Sequence, residues 1–361
     1  MVEADSAPSR STLVVAVPAG PIVVPMSLEV TSVSDDDIVA HDGHEVIHLD
    51  GLEPDCDHEV GGQIVRTLPR PGELLARFAT VNDVHFGETM CGVVEGTDIG
   101  PTFSVPHGEE PYPEFMNRGA ITEMIAIDPE VVVVKGDLTA RGSREEYDRF
   151  IELYGGAFGD RLHHVRGNHD SYHGEVFADW PTQEIWLDGV VIAVLDTARD
   201  HQINGSLSAE QAEWLDELAS RVDRPVLVFG HHHIWNPDID RRSDNHFGLR
   251  PDDAERLLDV FARRTTLVGY FAGHTHRNRR QQLAVTGSVP FVEVACVKDY
   301  PGAWAEYRIY DRGILQVHRR IGTPEALRWT EQTRHMYEGG YAEYAFGNLA
   351  DRCFLIDTKG R

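Results

Sequence analysis

The sequence predicts a layered α/β fold with a small β-rich module in front of it. Three observations carry this. Composition is that of an ordinary globular chain, with 361 residues, 41% of them hydrophobic and 25% charged, enough for one large domain and a smaller companion. From about residue 76, short β-branched apolar runs alternate with helix-length segments, the pattern of strands layered against helices. Before that point the apolar runs are short, bounded by turn residues, and rich in Val, Pro, Asp and Gly, which is β patterning alone.

Taken in order, residues 11–30 (STLVVAVPAGPIVVPMSLEV) are the one stretch open to reading as a leader or a membrane segment. Pro18, Pro21 and Pro25 interrupt it, and the residues before it carry Glu3 and Asp5 with only Arg10 as a basic group. A signal peptide needs a basic start and a continuous apolar stretch, and a spanning helix needs about 20 apolar residues, so neither reading fits. Residues 1–72 are expected to form a small β-rich module ending at the Pro69–Gly72 linker. Within it LDGLEPDCDHEV resembles the corner of a fibronectin type III strand pair, with His58 where that family usually has Tyr; the resemblance implies a truncated module of that kind.

Residues 76–320 carry the main pattern. Strands are expected at FATVNDVHF, EVVVVKGDL, LHHVRGNHD, GVVIAVLDT, RPVLVFGHHH and TTLVGYFAGHTH. Between them, SREEYDRFIELYGG begins on Ser143 with Glu146 three residues later, and SAEQAEWLDELASR begins on Ser208 with Gln211 at the same spacing; both read as capped helices. Residues 321–361 form an aromatic-rich extension, too apolar for a disordered tail and expected to pack on the main domain or on a partner subunit.

Lys and Arg number 33 against 59 Asp and Glu, a formal charge of −26. A surface this acidic repels polyphosphate backbones, so no nucleic-acid polymer is expected as partner, and no membrane either. The cysteines at 56, 91, 296 and 353 lie far apart without metal-ligand spacing. That favours free thiols in a reducing compartment and a cytoplasmic location.

Nearly every strand ends in side chains able to hold a metal: Asp83 and His85, Asp137, the run Asn168-His169-Asp170, the three histidines 231–233, and His274 with His276. Ligands in open α/β sheets bind beyond the carboxyl ends of the strands, so distant segments would deliver these groups to one place. Each cluster alone also suits a plain polar loop, but the five recur in order, each after a strand. The set mixes carboxylate, imidazole and one amide without thiolate, which suits Zn, Mn or Fe and not a structural zinc finger. It is too large for one tetrahedral ion and fits two divalent metal ions sharing a carboxylate, with Asp137 on its Lys-Gly-Asp turn as the best bridge.

Read together, NDVH, GDLTARG, GNHD, GHHH and GHTH resemble the five-block signature of the calcineurin-like metallophosphoesterases, spread over residues 83–276. The resemblance implies a four-layer α/β/β/α sandwich and a dinuclear centre, one ion on Asp83, His85 and His276, the other on Asn168, His231 and His274, with Asp137 between. His231 matches by its place after Gly230; His232 and His233 stay open as alternatives. His169 is expected to protonate the leaving alkoxide or stabilise the transition state. Asp170 would either orient that imidazole or cap its own loop, and Arg141 would either contact phosphate or stand solvated at a helix start.

Two divalent ions would neutralise the phosphoester anion and make a bound water acidic enough to attack, which implies hydrolysis of phosphoric esters. GNHD and GHTH look like the phosphodiesterase branch, and GDLTARGSREEY is similar to the class III cyclic-nucleotide phosphodiesterases. The segment leading to NDVH is also similar to purple acid phosphatases, but the iron-binding Tyr of that branch is missing. The expected substrate is a small phosphodiester, a 3′,5′-cyclic nucleotide or a glycerophosphodiester. The alternatives are a phosphomonoesterase of the same fold and an inactive metal-binding or adhesion protein. Residues 86–114 and the aromatic stretch 330–347 are placed to select the substrate as a lid, or equally to form a homodimer contact.

Overall fold

In a computed structural model, residues 28–358 are described, apart from positions 95 and 175. Most of the 11–30 segment therefore lies outside the described residues. The strands in chain order are β1 (Glu29–Val33), β2 (Asp37–Asp42), β3 (Glu45–Asp50), β4 (Asp57–Val60), β5 (Gln63–Arg66), β6 (Leu74–Val81), β7 (Val132–Lys135), β8 (Leu162–Val165) and β9 (Thr182–Leu187). They continue with β10 (Val190–Leu195), β11 (Val226–Phe229), β12 (Leu267–Ala272), β13 (Arg279–Gln282), β14 (Pro290–Glu293), β15 (Ala303–Tyr310), β16 (Gly313–Arg320) and β17 (Phe354–Asp357).

Two six-stranded sheets form the centre, in the orders β17-β16-β15-β6-β7-β8 and β13-β14-β12-β11-β10-β9. Alternation along β6 and β7 explains the layering. Phe78 and Val133 face the other sheet, while Ala79, Val81, Val132 and Val134 face helices. Between the sheets Phe78 stacks on Tyr307 with ring centroids 4.6 Å apart and Phe229 on Phe271 at 5.1 Å, each fully buried ring contributing roughly 1.5–3 kcal/mol. The helices Tyr112–Ala126, Arg144–Phe150 and Pro324–Thr333 cover the first sheet. Ala209–Arg221 and Pro251–Arg263 cover the second. The result is the expected four-layer α/β/β/α sandwich.

Both serine caps form as read, Ser143 with Glu146 and Ser208 with Gln211 in reciprocal capping boxes. The first of these helices changes to a π turn over Ile151–Gly155. The parallel runs β6-β7-β8 and β10-β11-β12 matter most for chemistry. They bring the carboxyl ends of each trio to one edge of its sheet.

Residues 28–66 form a three-stranded sheet, β1-β2-β3, and the β4-β5 hairpin. A buried charge network fastens them to the main sheet: Asp37 accepts from Arg319 Nη1 at 2.6 Å and from Arg308 Nη2 at 3.0 Å, and Arg319 Nη2 donates to Glu306 at 2.6 Å. At the other end of the chain, β17 pairs antiparallel with β16, so the C-terminal extension supplies the edge strand of the first sheet. The four cysteines are free, and among the described residues no helix is long and apolar enough to cross a membrane.

Candidate metal centre

The loops after β6 and β7 are tied together by backbone bonds. Asp83 N–H donates to Gly136 O at 3.0 Å, and the Val84 and His85 N–H groups both donate to Asp137 O at 2.9 Å. In this arrangement Asp83, His85 and Asp137 all take left-handed backbone angles, with φ of 55°, 49° and 51°, and His274 and His276 do so across the site, with φ of 69° and 54°. Such conformations are uncommon for residues with a Cβ and concentrate where geometry is imposed by function. Two glycines explain how the loops approach so closely. A Cβ on Gly136 would stand 2.6 Å from His231 Nδ1, and one on Gly273 would stand 2.7 Å from Asp83 Oδ2.

Asp137 lies at the centre. Its Oδ2 is 3.4 Å from His85 Nε2 and 3.3 Å from His231 Nε2, and its Oδ1 accepts the His169 backbone N–H at 2.9 Å. On one side Asp83 Oδ1 lies 3.3 Å from His276 Nε2, and Asp83, His85 and His276 can reach a common ion. On the other, His231 Nε2 lies 3.1 Å from Asn168 Oδ1, and the His231 and His274 rings are 5.1 Å apart. The sequence-predicted ligand residues are thus brought together.

Hydrogen bonds separate the three adjacent histidines. His231 Nδ1 donates to Lys135 O at 2.8 Å, turning Nε2 toward Asp137. His232 also stands close enough to His231 and His274 to share an ion with them. Both its nitrogens are taken, however, Nδ1 by Thr197 Oγ1 at 2.9 Å and Nε2 by Ile203 O at 3.0 Å. His233 turns toward His246, ring centroids 5.3 Å apart.

Several buried polar atoms make no hydrogen bond within the described residues, among them Asp83 Oδ1 and both ring nitrogens of His85. Leaving such atoms unpaired is costly, and a divalent cation among them removes the cost. The charge pattern agrees. Burial, with Lys298 nearby, pushes the His85 imidazole down to about 4, so it is neutral and able to ligate. Burial would lower His231 too, but the Asp137 carboxylate outweighs it and raises the ring to about 9, with Asp137 itself held anionic beside it. The oxygen and nitrogen donor set fits divalent metal ions.

His169 sits beside this group, its ring 4.5 Å from His85. Its Nδ1 donates to Ala140 O at 2.7 Å, which fixes the tautomer and leaves Nε2 for the site. Of the two roles open to Asp170, orienting this imidazole or capping its own loop, the hydrogen bonds match the second and not the first. Its carboxylate instead accepts from the N–H groups of Leu138 at 3.0 Å, Thr139 at 2.8 Å and Gly167 at 2.7 Å, and from Thr139 Oγ1 at 2.7 Å. Four donors use up its acceptor capacity, so it clamps two loops together. Arg141 is exposed, and its backbone N–H donates to Glu146 at 3.0 Å.

Sequence reading missed Asp299, Cys296 and Tyr341. Asp299 Oδ2 faces His276 Nδ1 at 3.7 Å, while its Oδ1 accepts from Tyr341 OH at 2.6 Å and from Cys296 Sγ at 2.9 Å. The C-terminal extension thereby reaches a candidate ligand, and Tyr344 OH donates to Thr275 O at 3.0 Å, between His274 and His276. It also meets the loop after His85, where Glu338 N–H donates to Gly100 O at 2.6 Å.

The family described as calcineurin-like phosphoesterase matches residues 76–278, more than half of the chain. This protein belongs to the calcineurin-like phosphoesterase family. The calcineurin-like phosphoesterase chain is 27% identical over 161 residues to a probable glycerophosphodiester phosphodiesterase, GpdQ, of Arcobacter nitrofigilis, covering 41% of this chain and 57% of that protein. The match therefore spans little more than half of that relative. With the GpdQ of Enterobacter lignolyticus it shares 27% identity over 251 residues, 64% of this chain and 84% of the other. With a cAMP/cGMP dual specificity phosphodiesterase of Mycobacterium tuberculosis it shares 29% over 221 residues, 58% and 63%. Among solved structures, a dimetal phosphatase from Danio rerio superposes with a TM-score of 0.52 at 16% identity, over 69% of this chain and 98% of that one, a likeness of fold.

Proposed function

We propose that this calcineurin-like phosphoesterase hydrolyses small phosphodiesters, with cyclic nucleotides and glycerophosphodiesters as the substrate classes, using two divalent ions of Fe, Mn or Zn. The observation that carries the reading is Asp137 Oδ2, 3.4 Å from His85 Nε2 and 3.3 Å from His231 Nε2, one carboxylate oxygen facing both histidine sets. Asp83, His85 and His276 would hold one ion; Asn168, His231 and His274 the other; Asp137 both. When bound, the ions supply charge neutralisation at phosphorus and acidify water.

The chain does the rest. Asn82 Nδ2, 2.5 Å from Asp83 Oδ2, and the His274 N–H, 3.1 Å from that same oxygen, leave Asp83 Oδ1 as the donor atom. Thr197 Oγ1 takes the His231 N–H at 3.3 Å and holds the start of the histidine run. His169, anchored through Nδ1, would act as the imidazolium, whose Nε2–H gives its proton to the leaving oxygen. Asp170 keeps the loops of Asp137 and His169 in register. Arg141, exposed at the start of the loop before Ser143, would be the residue to contact a phosphate oxygen. Relatives named as glycerophosphodiester and cAMP/cGMP phosphodiesterases support a diester over a monoester.

The test is reconstitution with Mn, Fe, Co or Zn followed by kinetics on bis(p-nitrophenyl) phosphate, cAMP, a glycerophosphodiester and p-nitrophenyl phosphate. Diester turnover that needs metal and exceeds monoester turnover is expected. No turnover with any metal would leave a metal-binding protein, and monoester preference would leave a phosphatase.

A further inference from the structure

The candidate ligands of the second ion form a row from Asn168 through His231 to His274, and aromatic side chains stand at both ends of it. At one end Tyr172 OH lies 2.5 Å from Asn168 Nδ2, with its ring 5.0 Å from that of His169. At the other, Phe247 stacks on His274 with centroids 4.1 Å apart and planes inclined by 27°. The Phe247 carbonyl accepts from His274 Nε2 at 2.9 Å, so the backbone that carries the ring also orients the imidazole. Although one face is covered by His274, the residue remains 51% exposed.

Its seat is fixed. Leu249 N–H donates to His233 O at 2.8 Å, and Gly248 N–H donates to His246 Nδ1 at 3.1 Å. The loop that bears it, between β11 and the helix Pro251–Arg263, is mostly polar, NPDIDRRSDNH over 236–246, with Ile239 the other exposed apolar side chain of that stretch. A half-exposed Phe held against a candidate ligand at the end of such a loop offers a flat apolar surface beside the proposed ion site.

We propose that Phe247 is a specificity-determining residue, a stacking platform for a planar aromatic substituent of the phosphodiester, so that a nucleobase-bearing ester is preferred over an aliphatic one. This rests on the hydrolytic reading above. The base stacks on the outer face of Phe247 while the phosphate stays at the ions, a mode that tolerates either purine or pyrimidine because every base presents a π face. Covering His274 would be a shielding role only, and the two differ in what a Leu at this position does. Leucine covers the imidazole but has no plane to stack on.

The test compares wild type, Phe247→Leu and Phe247→Trp, Mn-loaded, on 3′,5′-cAMP and on glycerophosphoethanolamine. Calorimetric binding of AMP and of glycerol 3-phosphate is measured alongside. Phe247→Leu should lower kcat/KM for cAMP about tenfold more than for the glycerol ester, through KM, and weaken AMP binding by a similar factor while glycerol 3-phosphate binding moves much less. Phe247→Trp should restore the contrast. Equal losses for both esters, or lost Mn affinity in Phe247→Leu, would overturn the platform and leave shielding. Wild type that turns over neither ester would defeat the hydrolytic reading; the platform is then decided by the AMP comparison alone, and AMP binding that is absent or unchanged by Leu refutes it.

Discussion

Asp137→Asn is the substitution that separates a shared carboxylate from an ordinary buried acid. Its Oδ2 stands 3.4 Å from His85 Nε2 and 3.3 Å from His231 Nε2, so a single change reaches both candidate sites, whereas His85→Ala and His274→Ala each reach one. Asn keeps an oxygen able to accept the His169 N–H now bound at 2.9 Å, so the loop survives. What it loses is the anionic oxygen facing both histidine sets. A ligand at 100 times its Kd stabilises a fold by about 2.7 kcal/mol. Since domains of 150–250 residues gain about 2–4 °C per kcal/mol, each bound Mn ion should raise Tm by roughly 5–11 °C. Wild type is expected to bind two equivalents in equilibrium dialysis and show both increments in a thermal melt. His85→Ala and His274→Ala should keep one each, and Asp137→Asn should lose tight binding at both. An Asp137→Asn protein that still binds two equivalents with wild-type affinity would refute a shared carboxylate.

The other predictions are independent of that one. His169→Asn should bind metal as wild type does but lose about 10²–10⁴ in kcat on a diester with a poor leaving group; a loss below tenfold would remove His169 as proton donor. Gly273→Ala places a Cβ 2.7 Å from Asp83 Oδ2 and 2.9 Å from Asn82 Cβ. It should weaken Mn binding in dialysis and cost about 1–3 kcal/mol in urea unfolding, and unaltered metal affinity would show that Asp83 does not need its position. Burial pushes the imidazoles of His41 and His164 down to about 3 and about 4, below the unfolded value of about 6.5. Their neutral forms contribute stability that is complete above pH 6.5 and is lost as pH falls through 6.5 toward those values, by up to about 1.4 kcal/mol per unit per group. Urea unfolding at pH 7.5 and 5.0 checks this: His41→Gln should flatten the pH dependence, and an unchanged slope would refute the assignment.

The central sheets and the five loops with candidate ligands were legible because each is written locally. A β-branched run ends, a glycine or short polar residue follows, and a side chain able to bind metal comes next. Gly136 and Gly273 are part of that local signal, since the loops pass too close for a Cβ. His231 was legible by its place after Gly230, but what sets His232 apart was not, because Thr197 Oγ1 and the Ile203 carbonyl take both its nitrogens from a separate segment. Which of its two roles Asp170 takes was not legible for a related reason. Adjacent to His169 in sequence, it turns to the backbone of residues 138 and 139, because four converging donors outweigh one imidazole. Asp299 carried no signal, since Lys-Asp-Tyr-Pro after β14 has no ligand spacing; it matters only because folding sets it beside His276 and beneath Tyr341.

The contrast between these groups has a physical root. Asp83, His85, Asp137, His274 and His276 hold left-handed backbone angles that residues with a Cβ rarely adopt, and each costs on the order of 1–3 kcal/mol. Strain of that size is kept only where surrounding bonds determine it, here the bonds tying residues 83–86 to residues 136–138 and the His274 N–H to Asp83. Those bonds need short loops with particular residues at fixed offsets, and fixed offsets are what a single sequence displays. Groups that touch the candidate ligands from outside the motifs, Asp299 beside His276 and Phe247 on His274, do not take such angles. No offset constrains them, so they can arise anywhere the fold brings a suitable side chain near. The five candidate ligands held in this way are therefore readable from motif spacing, while the residues around them become visible only once the sheets have packed.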